Sequence, residues 1–188
     1  MVIEQVMARA AKIKMLLMDV DGVLTDGRLY NVPDAAGNMA ETKGFDSTDG
    51  IALQWLSWYG IQTGVISGRV SPATAERARQ CKMKYVYQGH IEKIPILREI
   101  MADAGITSEE IAYVGDDFTD VVCFHRVGLG IAVANARPEV KAEALYTTSA
   151  SGGSGAVREV CELIMKAKGY WPEILKKYEI GQGADREA

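Results

Sequence analysis

Two aspartates one residue apart, Asp19 and Asp21, directly follow the apolar run Met15-Leu16-Leu17-Met18. Carboxylates this close at the end of a buried segment repel each other, and their pairing makes chemical sense when a cation sits between them. Alone, Asp19-Val20-Asp21-Gly22 fits an ordinary turn equally well. Three later features tip the balance. Ser67-Gly68-Arg69 places a hydroxyl and a glycine directly after the apolar run Gly64-Val65-Ile66. Lys93 stands near the start of a helical pattern that follows Tyr87-Gln88-Gly89-His90. Tyr113-Val114-Gly115 runs into Asp116-Asp117-Phe118-Thr119-Asp120, which holds more acid than the dipole of a helix start calls for. In chain order the set is acids, hydroxyl, lysine, acids, and phosphoryl transfer needs those parts. A hard cation takes carboxylate and phosphate oxygens, and the charge spread over a phosphoryl group in flight must meet fixed donors or cations.

Whether these residues meet depends on the elements that carry them. Continuous apolar runs at 15–18, 64–66, 85–87, 111–114 and 130–133 read as strands covered on both faces. Helical spacing occupies about 50–59, 72–81, 91–104, 118–127 and 155–168, with a further helix from Gly169 through Tyr178. Ser71-Pro72 is a helix start and Gly105 a stop. Strands separated by single helices predict an α/β fold, a Rossmann-like parallel sheet with helices on both faces and right-handed crossovers. Such sheets bind ligands beyond the carboxyl ends of their strands, where all four features fall. The stretch from Gly27 to Phe45 breaks the rhythm: extended runs at 28–30 and 39–42 joined by turn residues predict a β-hairpin flap after the first strand. Ser149 to Gly155 reads as a flexible loop. The expected organisation is a single domain over 1–181, with the hairpin at about 27–45, a helical tail at about 169–181 and a disordered end over 182–188.

Composition narrows the partners. At 188 residues, 48% hydrophobic and 24% charged, the chain suits a soluble globular domain. A net charge of −4 gives no basic footprint, which argues against nucleic acid, and an anionic substrate must be drawn by a local positive site. Cys81, Cys123 and Cys161 lack CxxC spacing and read as reduced thiols of a cytoplasmic protein. The stretch from Met1 to Ala11 has no signal-peptide core, and no apolar run reaches a membrane-span length, so no membrane partner is expected. His90 and His125 lack metal-ligand spacing, and Trp55, Trp58 and Tyr59 read as core or subunit-interface residues.

Asp19/Asp21, Ser67, Lys93 and Asp116 together resemble the four signature motifs of the haloacid dehalogenase-like phosphatase superfamily, over about residues 14–165. Within it, the stretches DVDGVLTDG, KGFDSTDG, ISGR, YQGHIEK, YVGDDFTD and SGGSGAVREV are similar to the 3-deoxy-D-manno-octulosonate 8-phosphate phosphatase family, in which a hairpin stands in place of a cap domain. The resemblance implies a magnesium-dependent phosphomonoester hydrolase of lipopolysaccharide biosynthesis that works through an aspartyl-phosphate. Asp19 would be the nucleophile, and Asp21 the general acid and base, starting protonated. Ser67 and Lys93 would hold the phosphate. The Asp19 side chain, the Asp21 backbone carbonyl and the Asp116 side chain would hold Mg2+, with Asp117 and Asp120 orienting them or reaching the ion through water. Lys43, Asp46, Ser47, Thr48, Asp49, Gly50, Gly68, Arg69 and Arg77 fall where that family contacts substrate. The resemblance also implies a homotetramer whose hairpins and neighbouring tails help to close each site.

Thr48, Gln54 and Ser154 depart from the family pattern, standing where octulosonate enzymes usually have arginine, the second of them only in some. Each change removes a cation that could pair with a sugar-acid carboxylate. The first expectation for substrate is 3-deoxy-D-manno-octulosonate 8-phosphate, and the alternative is a nonulosonate 9-phosphate or another sugar phosphate. Two readings of other classes share some of these residues. A receiver-like phosphoacceptor also uses acids, hydroxyl, lysine and magnesium, but in a different chain order and without a second carboxylate two residues after its acceptor. A non-catalytic oligomerisation relative would have no need to keep every core polar residue.

Overall fold

The computed structural model describes residues 2–181. Its elements are α1 (Val2–Ala10), β1 (Met15–Met18), β2 (Tyr30–Pro33), β3 (Met39–Thr42), α2 (Ser47–Trp58), β4 (Gln62–Ser67), α3 (Pro72–Gln80), β5 (Tyr85–Gln88), α4 (Lys93–Ala104), β6 (Ile111–Gly115), α5 (Phe118–Phe124), β7 (Leu129–Ala132), α6 (Pro138–Glu143), β8 (Tyr146–Thr147), α7 (Ala156–Ala167) and α8 (Trp171–Lys177). The strand run 15–18 shows no alternation because β1 lies inside the sheet. It pairs in parallel with β4 on one side and β6 on the other, and all four of its residues are buried.

The main sheet has the order β5-β4-β1-β6-β7-β8 and every ladder in it is parallel. From β1 the chain first steps outward through β4 to β5, then returns to the other side of β1 and continues through β6 and β7 to β8. That reversal places the carboxyl ends of β1, β4 and β6 side by side at a topological switch point. One helical layer contains α2 packed on α7 and α7 on α1; in the other, α5 packs between α4 and α6.

β2 and β3 form the predicted hairpin as a separate antiparallel pair, Tyr30 opposite Thr42 and Pro33 opposite Met39. Its first strand begins two residues later than the pattern suggests. Asp26 accepts a hydrogen bond from the Arg28 amide at 3.0 Å and holds residues 26–28 in a turn. Asp34 organises the connection by accepting from the amides of Ala36 and Asn38, both at 2.9 Å.

Other differences have similarly local causes. α4 starts at Lys93 rather than Ile91, and α5 ends at Phe124, because the chain must turn there to let the Gly128 amide reach the Ser108 carbonyl at 2.7 Å. Ser71 occupies the cap position of α3 with Pro72 behind it, but its hydroxyl makes no capping bond. Gly105 ends α4 in the left-handed conformation, as expected of that residue. α1, α6 and the two-residue β8 are not among the expected elements; they are short and held by packing against longer neighbours. The segment after α7 settles on its own domain. Trp171 meets Trp55 edge-on at 5.8 Å, Tyr170 stacks on Tyr59 at 4.3 Å, and Trp55 Nε1 donates to the Tyr178 hydroxyl at 3.1 Å. Residues 182–188, expected to be a disordered end, lie outside the described residues. The three cysteines are free and buried, and among the described residues no helix is long and apolar enough to cross a membrane.

Candidate active site

Beyond Met18 the chain leaves the sheet in a tight loop. Thr25 folds it back, its amide and hydroxyl both donating to the Val20 carbonyl at 3.1 and 3.4 Å. Gly22 lies at φ +96°, and a Cβ there would stand 2.1 Å from Asp116 Oδ2. Glycine at this position is what lets the acids after β1 and β6 approach one another. A cavity of about 210 Å³ opens at this end of the sheet, lined among others by Asp19, Asp21, Ser67, Arg69, Lys93 and Asp116. Gly68 and Asp117 also line it, together with Ile91 and Thr119, which the sequence pattern had not marked.

Asp120 organises the charged centre. It is fully buried, and its Oδ1 accepts from Lys93 Nζ at 2.6 Å and from the Tyr113 hydroxyl at 3.0 Å. Its Oδ2 accepts from the amides of Asp116 and Asp117 at 3.0 and 3.2 Å. Asp117 caps α5 through the Phe118 amide. Lys93, only 2% exposed, also reaches Asp19 Oδ1 at 3.0 Å. Burial works against the charge on Lys93, but Asp120 and then Asp19 raise its pKa above that of an ordinary lysine. Burial pushes Asp19 up to about 6 against the pull of Lys93. Burial, with the negative charges of Asp120, Asp19 and Asp117, pushes Asp116 up to about 7.

These shifts mark a centre short of positive charge. Asp19, Asp116 and Asp120 each offer a carboxylate oxygen, all within 4.8 Å of one another. Both oxygens of Asp120 are already engaged. Asp116 Oδ1, by contrast, is buried with no hydrogen-bond partner among the described residues. Asp19 and Asp116 are therefore the side chains left to hold a divalent cation, and an all-oxygen set of this kind fits magnesium.

Ser67 closes β4 with 2% of its surface exposed, and its Oγ accepts from the Arg69 amide at 3.2 Å. The hairpin reaches the same cavity through β3 and the residue after it. Lys43 Nζ is ion-paired with Asp21 Oδ1 and lies 3.1 Å from Glu41 Oε1, while Arg69 pairs with Glu41 Oε2. Arg69 first and Lys43 second hold Glu41 below the usual carboxylate range. Glu41 carried no sequence signal, since an acid in an exposed hairpin strand is ordinarily solvated.

The remaining substrate-side candidates gather around the start of α2 and do not line this cavity. Asp46 caps that helix, accepting from the Thr48 amide at 2.7 Å. Ser47 opens the helix, and Asp49, 1% exposed, accepts from the Arg158 amide of α7 at 2.7 Å. Arg77 donates to the Asp46 carbonyl at 2.5 Å and faces the Phe45 ring, in a space kept open because a Cβ at Gly50 would lie 2.6 Å from its Nη2. Ser154 and Lys43 line a neighbouring cavity of about 500 Å³ beneath the hairpin.

Asn135, also unforeseen, ties two loops of the site together. Its Nδ2 donates to the Gly22 carbonyl at 3.2 Å, and its Oδ1 accepts from the Gly152 amide at 2.6 Å. A position just beyond β7, at the same end of the sheet, was the one available clue. The loop packs so closely that a Cβ on Gly152 would fall 1.8 Å from the Gly22 carbonyl oxygen. Gly152→Ala is expected to cost about 1–3 kcal/mol in denaturant unfolding, as overpacking against backbone does. An unchanged midpoint would mean the loop can retreat freely.

Comparison with known proteins adds an independent line. Residues 71–160 match the family of haloacid dehalogenase-like hydrolases. The chain is 39% identical over 168 residues to the 3-deoxy-D-manno-octulosonate 8-phosphate phosphatase of Yersinia pestis, covering 89% of this chain and 87% of that one. The crystal structure of the same phosphatase from Moraxella catarrhalis, in complex with a magnesium ion, a phosphate ion and a KDO molecule, superposes with a TM-score of 0.87 at 36% identity, covering 93% and 98% of the two chains. The cobalt-bound deoxy-D-mannose-octulosonate 8-phosphate phosphatase of Haemophilus influenzae gives 0.79 at 38% identity, over 86% and 92%.

Proposed function

Because the chain belongs to the 3-deoxy-D-manno-octulosonate 8-phosphate phosphatase family of haloacid dehalogenase-like hydrolases, we propose that the cavity beyond β1 hydrolyses the phosphomonoester of a sugar acid, with 3-deoxy-D-manno-octulosonate 8-phosphate as the substrate. The observation that carries this reading is the convergence of Asp19, Lys93, Ser67 and Asp116, from four separate segments, on one cavity. The enzyme is a magnesium-dependent phosphatase, and Asp19, Asp116 and the backbone carbonyl of Asp21 would hold the ion. When bound, magnesium supplies positive charge that lets one anion approach another.

In the proposed mechanism, Ser67 and Lys93 fix the phosphoryl oxygens, and Lys93 offsets their charge from a buried position. An Asp19 carboxylate oxygen attacks phosphorus in line; the P–O bond to the sugar breaks as the Asp19–phosphorus bond forms. A proton from Asp21 neutralises the departing alkoxide. Asp21 then takes a proton from the water that attacks phosphorus and releases inorganic phosphate, regenerating the Asp19 carboxylate. In the free protein Asp21 is ion-paired with Lys43, and that pair must open before Asp21 can reach the leaving oxygen.

The test is a panel of phosphate esters assayed with magnesium, including the octulosonate 8-phosphate, a nonulosonate 9-phosphate and p-nitrophenyl phosphate. The octulosonate ester is expected to give the highest kcat/KM; equal slow rates on every member would remove the substrate assignment. Repeated turnover also separates this enzyme from a receiver-like phosphoacceptor and from a non-catalytic relative. Magnesium is further expected to raise the melting temperature, more at about pH 8 than at about pH 5. The sign follows from raised carboxylates: without the ion, the fold is favoured by protonated Asp19 and Asp116 and loses that advantage as pH rises through about 6 and about 7. Bound magnesium offsets the loss only where those groups are ionised. A cytoplasmic homotetramer completes the proposal. The buried free thiols support the compartment, and exposed Leu29, Tyr30, Val32 and Met39 on and beside the hairpin support a subunit contact.

A further inference from the structure

The chain of ion pairs Asp21–Lys43–Glu41–Arg69 runs across the mouth of the site and joins three loops. Its two cations are the ones a second anionic group of the substrate would want. Arg69 lines the catalytic cavity, and Lys43 lies between that cavity and the larger one beneath the hairpin. Thr48 and Ser154 carry no charge, so at this end of the sheet the recognition of a carboxylate falls to Arg69 and Lys43. In the free protein Glu41 is the group that bridges the two cations, and Lys43 is shared between Glu41 and Asp21.

We propose that Glu41 is a specificity-determining residue: it occupies the place of the substrate's carboxylate on Lys43 and Arg69, and an acidic phosphate ester replaces it. The proposal rests on the phosphatase reading of the site. Three observations support the exchange. Glu41 lies on β3, part of a two-stranded sheet with no ladder to the main sheet, so it can withdraw without disturbing the core. Its Oε1 is buried 3.1 Å from Lys43 Nζ yet makes no aligned hydrogen bond, which leaves that carboxylate oxygen less firmly held than a fully bonded one. Trading one carboxylate for another keeps Lys43 and Arg69 neutralised, and Arg69 can meet the incoming group with two parallel hydrogen bonds. An ester without a carboxylate has nothing to offer in exchange, and leaves Lys43 resting on Asp21.

The test compares Glu41→Gln with the wild type on two esters: the acidic ester that the wild type cleaves best, and p-nitrophenyl phosphate, which has no carboxylate. Without the competing charge, KM for the acidic ester is expected to fall about tenfold relative to KM for p-nitrophenyl phosphate, since about 1.4 kcal/mol separates tenfold affinities. Adding Arg69→Gln to Glu41→Gln is expected to remove the gain. A ratio of KM values unchanged in Glu41→Gln overturns the proposal, as does a rise on both esters, which would make Glu41 a scaffold for the two cations. A wild type that prefers neutral phosphate esters also overturns it. Failure of the phosphatase reading looks different: the wild type then cleaves no ester at all.

Discussion

Asp19→Asn is expected to lower kcat on every ester by at least about four orders of magnitude, the scale on which removing a reacting group from a catalytic set acts. The reason lies in the covalent step. An amide oxygen is a poor nucleophile, and the neighbouring carboxylates have other partners or tasks: Asp120 is bonded on both oxygens, Asp21 faces Lys43, and Asp116 would hold the ion. The fold should tolerate the change. Asparagine matches aspartate in shape, Lys93 keeps Asp120 at 2.6 Å, and one negative charge leaves a crowded centre that pushes Asp19 up to about 6. Circular dichroism and a melting temperature at or above the wild-type value would show that activity, not folding, was lost. Turnover within tenfold of the wild type would end the aspartyl-phosphate mechanism.

Much of this arrangement could be read from the chain before any coordinates. The five apolar runs became adjacent parallel strands; four of them lie inside the sheet, where a strand must be apolar on both faces, whereas the run 85–87 forms the edge strand β5 and leaves Val86 exposed instead of covered. The acids after β1 and β6, Ser67 and Lys93 were visible as polar residues placed directly after such runs, where burial makes them costly unless they serve a site. Residues that act through the backbone or through one another were not visible. Asn135 looks like any loop asparagine until its amide is seen joining Gly22 to Gly152. Glu41 needs the hairpin folded across the mouth before its two cations exist. Arg77 shows the converse: grouped with the substrate contacts, it is bonded to the Asp46 carbonyl and faces Phe45, outside the lining of the catalytic cavity. Spacing identifies which strand end a residue follows, but a long side chain of a helix can turn either toward the cavity or beneath it.

Asp120 is where structural and chemical demands meet, and Lys93→Met exposes that coupling. Lys93 and Asp120 are 2% and 0% exposed, so removing the cation leaves a buried carboxylate with only a hydroxyl and two amides for company. Breaking a buried pair from one side costs about 3–5 kcal/mol, most of it the penalty of the stranded charge. The same substitution takes away a fixed donor to the transferring phosphoryl group, and kcat is expected to fall by about two to three orders of magnitude. The double variant Lys93→Met/Asp120→Asn separates the two roles. Neutralising Asp120 removes the stranded charge, so denaturant unfolding should recover part of the lost stability. Activity should not return, because the ammonium that meets the phosphate is still absent. If the double variant recovered both, Lys93 would matter only as the counter-ion of Asp120, and the phosphate would have to find its positive partner elsewhere in the cavity.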